Sequence, residues 1–339
     1  MSQIGLFDVE NKLAELSELG DPLEKLNNAI NWKYFKPVIH KAFRKERKSN
    51  AGRPPFDYLM MFKVLVLQAM YGLSDAQTQF QILDRHTFKR FLGISDERQI
   101  PDEKTIWAFR EVLTQAGALH KLFDMFNRYL TEAGFKAKKG QIIDASFVEV
   151  PRQRNTRDEN DTIKNGEIPK DWQDDEAKLP QKDLDARWTK KNEETFYGYK
   201  NHVNVDVKHK LIRDFTVTPA DVHDSQEFEN LVDTKNTGNG VWADSAYRSE
   251  AAEEHLKKLG LKSHVHRKSY RGHPLSEFQK KRNTEKSRVR VRVEHVFGWL
   301  EGQSGSLIRC IGQLRAAGRI ALMNLVYNMN RYRYLARVA

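Results

Sequence analysis

Cysteine is almost missing from this sequence: Cys310 stands alone in 339 residues. No intrachain disulfide and no cysteine-based zinc site can form, which fits a reducing compartment and points to the cytoplasm. Long apolar runs are missing too. The best candidate, LMMFKVLVLQAMYG from Leu59 to Gly72, contains Lys63 and Gln68 and falls short of the roughly 20 residues that cross a bilayer. It reads as a core helix, so no membrane partner is expected. The opening MSQIGLFDVENK lacks the basic-then-apolar order of a signal peptide. There is no internal repeat and no long low-complexity tract. Acid is the minority charge: 57 Lys and Arg face 46 Asp and Glu, a formal charge of +11, and the pI is near 9.4. A polyanion is therefore the first partner to consider, because Lys and Arg gain affinity by releasing phosphate counterions. With 39% hydrophobic and 10% aromatic residues, disorder throughout is excluded, and the length allows about two domains.

From Pro22 to about Gly140 the apolar residues recur at helical spacing. Tyr58 to Tyr71 is one helix, and Ser74 with Gln77 makes a capping box that opens a second. Thr87 to Leu92, Thr105 to Thr114 after Pro101-Asp102, and Leu119 to Leu130 continue the series. Residues 1–136 thus read as an all-helical domain. Between Lys33 and Arg53, eight Lys or Arg stand against Glu46 alone, either a phosphate-contacting surface or a solvated helix face.

From Gly140 the period changes to that of strands. QIIDASFVEV, Gln141 to Val150, is rich in branched and aromatic residues. The stretch 151–195 is polar, with ten acids against six bases between Arg157 and Arg187, and reads as a loop or insertion. YKNHVNVDV alternates, with Val203, Val205 and Val207 on one face and His202, Asn204 and Asp206 on the other, and forms a hairpin with LIRDFTVTPA. A short helix over Ser225 to Val232, a strand over Asn239 to Tyr247, a helix over Ser249 to Leu259, a fifth strand over Lys262 to Lys268 and two closing helices follow. Residues 137–339 therefore form an α/β domain: a mixed five-stranded sheet flanked by helices.

Two aspartates sit in apolar strand contexts where an ionised carboxylate needs neutralising: Asp144 in IIDASF and Asp244 in VWADSAY. Each alone could be a turn former or the partner of a buried arginine. Together, at one sheet edge, they could hold a divalent cation, since hard cations prefer carboxylate oxygen. Glu294 lies in a basic helix, and Lys262 to Arg292 holds eleven Lys or Arg against Glu277 and Glu285. It either pairs with Arg290 one turn earlier or supplies a third metal carboxylate. His202 and His223 read as solvated or hydrogen-bonded residues or as neighbours of the site. Trp188, Tyr197 and Tyr199 either stack on a splayed base or pack in the core.

The ordered set D144-A-S, W-A-D244-S-A-Y and R290-V-R-V-E294-H-V-F resembles the signature of DDE transposases of bacterial insertion sequences, notably the group named after insertion sequence five. One hundred residues separate the two aspartates and fifty separate Asp244 from Glu294, intervals similar to that group's. FYGYKNHVNVD, TPADVHDS, GRPPFD, YGLSDAQ, FKRFLGI and PDEKTIWAFR extend the resemblance from about Trp32 to Arg333. The tyrosine usual three residues before the signature arginine is Ser287 here, and the lysine usual seven after the glutamate is Glu301.

The resemblance implies an RNase H-like core in which Asp144, Asp244 and Glu294 are catalytic and together hold two Mg²⁺ ions, with Mn²⁺ as a substitute and no nucleotide cofactor. It implies in-line attack on phosphodiesters of double-stranded DNA, at terminal inverted repeats and at a target. Lys200, Arg290, Lys286, Arg288, Lys280, Lys281 and Arg282 are the expected DNA contacts, and His223 and Asp224, with His202, the expected active-site neighbours. The helical domain would bind the inverted repeats, through the helices at Ser74 to Arg85 or Thr105 to Thr114 with Lys89, Arg90, Lys104 and Arg110 nearby. A homodimer is expected in the DNA complex, and association with the nucleoid when bound.

Overall fold

The computed structural model describes residues 8–44, 54–191, 193–305 and 307–336. Part of the basic run from Lys33 to Arg53 lies outside them. The chain divides into two compact units, Met1–Phe126 with Ala321–Ala339, and Asn127–Ile320. No single described helix is long and apolar enough to cross a membrane.

The first unit is helical. Tyr58–Tyr71 is a helix capped by Asp57, which accepts from the Met60 N–H, and it ends on Gly72 in the left-handed region. The Ser74–Gln77 capping box is present and starts the helix Asp75–Asp84. Around Tyr58–Tyr71, the rings of Trp32, Phe35, Phe62, Phe91 and Phe126 interlock at centroid spacings of 5.1 to 6.3 Å, and this aromatic packing is the core. Two arginines near the expected DNA-reading helices are spent inside the fold. Arg90 donates to Asp21 at 2.5 Å and to Ser17 at 2.7 Å. Arg110 donates to Asp75 at 2.6 and 2.7 Å and to Gln68 at 2.8 Å.

The second unit holds one mixed sheet of six strands: β1 Gln141–Glu149, β2 Arg187–Lys191, β3 Glu194–Asp206, β4 Ile212–Pro219, β5 Gly240–Trp242 and β6 Lys262–Ser263. The central order is β4-β3-β1-β5-β6, with β2 on the first half of β3. β1, β3 and β4 form an antiparallel meander, and β5 and β6 add parallel to β1. That is the arrangement of an RNase H-like core. The sixth strand comes from 151–195, which is more than a loop. A Thr156–Glu159 capping box starts the helix Arg157–Lys164, and Trp172 is wholly buried there, its indole N–H donating to Glu159 at 2.7 Å. Its high charge belongs to the outer faces of short capped elements around a few buried apolar residues, so composition alone read as loop.

β5 and β6 are shorter than the expected strands. The chain leaves β5 at Trp242 because Asp244 caps a 3₁₀ turn over Ser245–Tyr247. In β3, both alternating faces are buried. Val203 and Val205 enter one core, while His202, Asn204 and Asp206 are equally inaccessible and meet Thr218, Gln141 with the Leu231 carbonyl, and Arg213 respectively. Each of these three side chains has at least one partner, which is what lets polar residues line an interior, although His202 Nδ1 and Asn204 Oδ1 have none among the described residues.

Gly198 marks where β3 passes from β2 to β4. It has φ of +146°, and a Cβ there would run into the backbone of Val148, Glu149 and Val150. Gly198→Ala is expected to destabilise the second unit by about 3 kcal/mol, read as a lower urea midpoint at unchanged slope. A loss below about 0.5 kcal/mol, within the range of a neutral surface change, would mean the two strands separate there at little cost.

Candidate active site

The β1–β5 register pairs Gln141 with Val241 and Ile142 with Trp242. Asp144 follows two residues later in β1, and Asp244 two residues past Trp242, just beyond the end of β5, where it caps the 3₁₀ turn; the charge of Asp244 reaches Asp144. Asp144 is buried, at 8% exposure. Burial above all, and the negative charge of Asp244, raise its carboxyl to about 6, against the opposing pull of Arg290 and the Ala145 N–H.

The helix Glu277–Ser304 lies across β1 and β5, its Val293, Val296 and Leu300 buried and its Arg292 donating to the Val207 carbonyl at 2.7 Å. It delivers Arg290 and Glu294. Arg290 Nη1 donates to Asp144 Oδ2 at 2.6 Å, and its Nη2 stands 3.7 Å from Glu294 Oε1. One guanidinium thus links Asp144 and Glu294. The structural roles open to each acid are realised in this arrangement: Asp144 partners a half-buried arginine, Asp244 caps a turn, and Glu294 pairs with Arg290.

Lys200 and His202 pair with Phe147 and Ala145 across β1 and β3. By the two-residue alternation of strands they point to the opposite sheet face from Asp144. Lys200 is buried, donating to Asp224 Oδ1 at 2.8 Å and to the Val222 carbonyl at 2.7 Å. His202 Nε2 lies 2.8 Å from Thr218 Oγ1, and burial, the largest cause, lowers its pKa to about 4, so the ring is neutral. His223 is exposed and caps the turn at Asp224–Glu227, its Nδ1 2.8 Å from Ser225 Oγ. Lys200, Asp224 and His202 thus interact on the sheet face opposite Asp144, and His223 caps the turn that carries Asp224. Tyr197 and Tyr199 are core residues, whereas Trp188 is 39% exposed, with Arg152 5.6 Å above its ring.

On the long helix, Lys280 pairs with Glu277 at 2.8 Å, Lys281, Arg282 and Arg288 are exposed, and Lys286 donates to the Val265 carbonyl at 2.6 Å. Sequence reading missed Tyr247. Its ring is buried, its hydroxyl has no partner among the described residues, and its pKa is pushed up first by burial and then by Asp144, Asp224 and Asp244. The sign was in the sequence: the tyrosine closes the WADSAY segment three residues after an acid. Arg248 also escaped, and Lys262 and Arg267, counted only within the basic stretch Lys262 to Arg292, are gathered with it near Lys286.

Residues 136–329, more than half of the chain, match the family profile described as "Transposase DDE domain". The chain belongs to the DDE transposases. Residues 11–112 of this transposase match a second profile, "Transposase domain (DUF772)", so both units carry transposase sequence. A solved structure, the cryo-EM synaptic complex of piggyBac transposase with hairpin DNA, is similar at a TM-score of 0.43 and 11% identity, covering 94% of this chain and 79% of that chain. DDE transposases act on DNA in the movement of mobile elements, and their catalytic domains use divalent metal ions.

The donors of this transposase fit such an ion in kind. Asp144 and Asp244 are hard oxygen ligands, and burial raises the pKa of Asp144 against the pull of Arg290, so its ionised form has room for a further cationic partner. In the arrangement seen, the guanidinium lies between Asp144 and Glu294, and among the described residues no three acidic, histidine or cysteine side chains stand close enough to hold a metal.

Proposed function

We propose that this chain is the transposase of a bacterial insertion sequence of the insertion-sequence-five group, with Asp144, Asp244 and Glu294 as its catalytic and metal-binding acids. It binds the terminal inverted repeats of its own element, cleaves DNA at the ends, and joins the freed 3′-hydroxyls to target DNA. The observation that supports the reading is the gathering of the three acids: Arg290 of the long helix bonds Asp144 and stands beside Glu294, and the charge of Asp244, just past the end of β5, acts on Asp144.

Cutting is hydrolysis. Water oxygen bonds to phosphorus, the bond from phosphorus to the 3′ oxygen breaks, and a 3′-hydroxyl and a 5′-phosphate remain. In joining, that hydroxyl attacks a target phosphodiester and the target's own 3′ oxygen leaves. Bound Mg²⁺, two ions per site with Mn²⁺ as a substitute, would supply Lewis-acid stabilisation of the attacking and leaving oxygens. The three carboxylates would hold those ions once Arg290 gives up Asp144, and the released guanidinium, one turn from Glu294, is then free to take a DNA phosphate. Residues 1–136 form the inverted-repeat-binding domain and 137–339 the catalytic domain. The working form on DNA is a homodimer, because two element ends must meet. It acts in the cytoplasm at the nucleoid, without a nucleotide.

Pre-cut element ends incubated with a supercoiled plasmid and Mg²⁺ test this directly. Joined product is expected. Cleavage of uncut ends without joining would make the chain a nuclease or resolvase instead, and binding alone a regulator.

A further inference from the structure

Beside β6, on the opening half of the long helix, lies a cleft of about 180 Å³ whose lining includes Arg248, Lys262, Arg267, Arg282, Lys286 and Glu253. Five cationic side chains converge on one carboxylate, and that carboxylate is already engaged. Glu253 takes Arg248 at 3.3 Å and the Ser263 hydroxyl at 2.9 Å. Lys286 donates to the Val265 carbonyl, with the charge of Glu253 the last and smallest influence on it, and Arg282 lies 5.7 Å from the Phe278 ring. The walls are fixed: Arg267 N–H donates to Asn283 Oδ1, and Asn283 Nδ2 returns to the Arg267 carbonyl, each at 3.0 Å. Burial and then the three arginines push the Lys286 ammonium below its ordinary pKa, and His264, stacked on Trp242 at 4.4 Å, is lowered by burial and by Lys262, Lys286 and Arg282. Like charges held at each other's expense in a fixed concave site lack an anion.

We propose that this cleft seats one backbone phosphate of DNA. Arg248, Arg267 and Arg282 present fork-shaped donors that match phosphate oxygens, and Lys286 adds a point charge. Position selects DNA over a free anion. Lys286 and Arg290 are four residues apart on one helix, roughly 6 Å along its axis, so a strand held in the cleft is led onto Arg290 and the carboxylates beyond. The seat reads no base and contributes a sequence-independent anchor. It rests on the proposed function only for its occupant.

The test uses the full chain in EDTA and a short duplex of arbitrary sequence, with affinity followed across a series of KCl concentrations. The double variant Arg267→Gln/Arg282→Gln is expected to bind more weakly and to lower the slope of log affinity against log salt by about 1. The control Lys257→Gln/Lys258→Gln removes the same charge from the exposed end of the neighbouring helix and should leave the slope unchanged. A slope unmoved by the cleft variant, or moved equally by the control, overturns the proposal. So does calorimetry in which inorganic phosphate binds wild type and not the cleft variant while the slope for DNA stays the same, since the seat would then serve a free anion. No cutting occurs in EDTA. Normal cleavage by Asp144→Asn would therefore sink the assignment of the acids without touching this result.

Discussion

Asp144→Asn and Asp244→Asn are each expected to lower cleavage at element ends by roughly 10³-fold, about 4 kcal/mol of transition-state stabilisation, while binding to those ends changes less than about threefold, because affinity rests on the basic surface. The Asn side chain keeps the shape, and at 144 its carbonyl oxygen still accepts from Arg290, so the fold is retained. What disappears is the second hard oxygen with its negative charge. Stability should move the other way at residue 144. Its carboxyl is raised from 3.8 to about 6 in the folded state, so the folded protein prefers the protonated acid. The group's favourable contribution is fully present below about pH 4 and is lost as pH rises through about 6. At pH 7 in EDTA the ionised acid then costs on the order of 3 kcal/mol, and Asp144→Asn should melt higher than the parent at pH 7, with the gap closing toward pH 4. A variant that cuts normally removes Asp144 from the catalytic set. A variant that melts lower at pH 7 shows that the ion pair with Arg290 outweighs the burial.

The sequence made the helical unit legible because its helices carry their own start signals. Ser74 and Asp102 cap where expected, Asp57 adds a third cap, and the apolar run of Tyr58–Tyr71 is buried at every position from Val64 to Met70. The meander was legible for the same local reason, a two-residue alternation. What pattern could not give was the second surface of β3. His202, Asn204 and Asp206 look like a wet face until Thr218, Gln141 and Arg213 arrive from 16, 63 and 7 residues away. Of Lys200 the sequence could not show that strand parity turns it from Asp144 and that Asp224 holds its ammonium. The pairing of β1 with β5 that brings Asp144 and Asp244 toward one edge is long-range; the strand contexts of the two acids suggested it, and the family resemblance added Glu294. Of the cleft around Lys286 the sequence showed the basic stretch Lys262 to Arg292, but not that it folds back to meet Arg248.

Asp183 shows how the polar insertion is tied to the sheet, and its removal should be felt well beyond its own loop. The side chain is 2% exposed and accepts from the Tyr199 hydroxyl at 2.8 and 3.0 Å, from the N–H groups of Asp185 and Ala186 at 3.0 and 2.9 Å, and from the Gly312 N–H at 3.0 Å. One carboxylate thus gathers the insertion, β3 and the turn before the last helix. Asp183→Ala leaves a phenol and three N–H groups in the interior without an acceptor. At about 1 to 3 kcal/mol for each stranded donor, eased by partial relaxation, the expected loss is about 4 kcal/mol, measured by urea unfolding. Tyr199→Phe removes one donor and leaves the others served, so it should cost about 1 kcal/mol, and the double variant should fall short of the sum because the two side chains share a bond. Strict additivity would show that Asp183 acts through its backbone contacts alone. A loss under 1 kcal/mol for Asp183→Ala would mean that water replaces the carboxylate, and that the insertion is joined to β3 by the β2 pairing and little else.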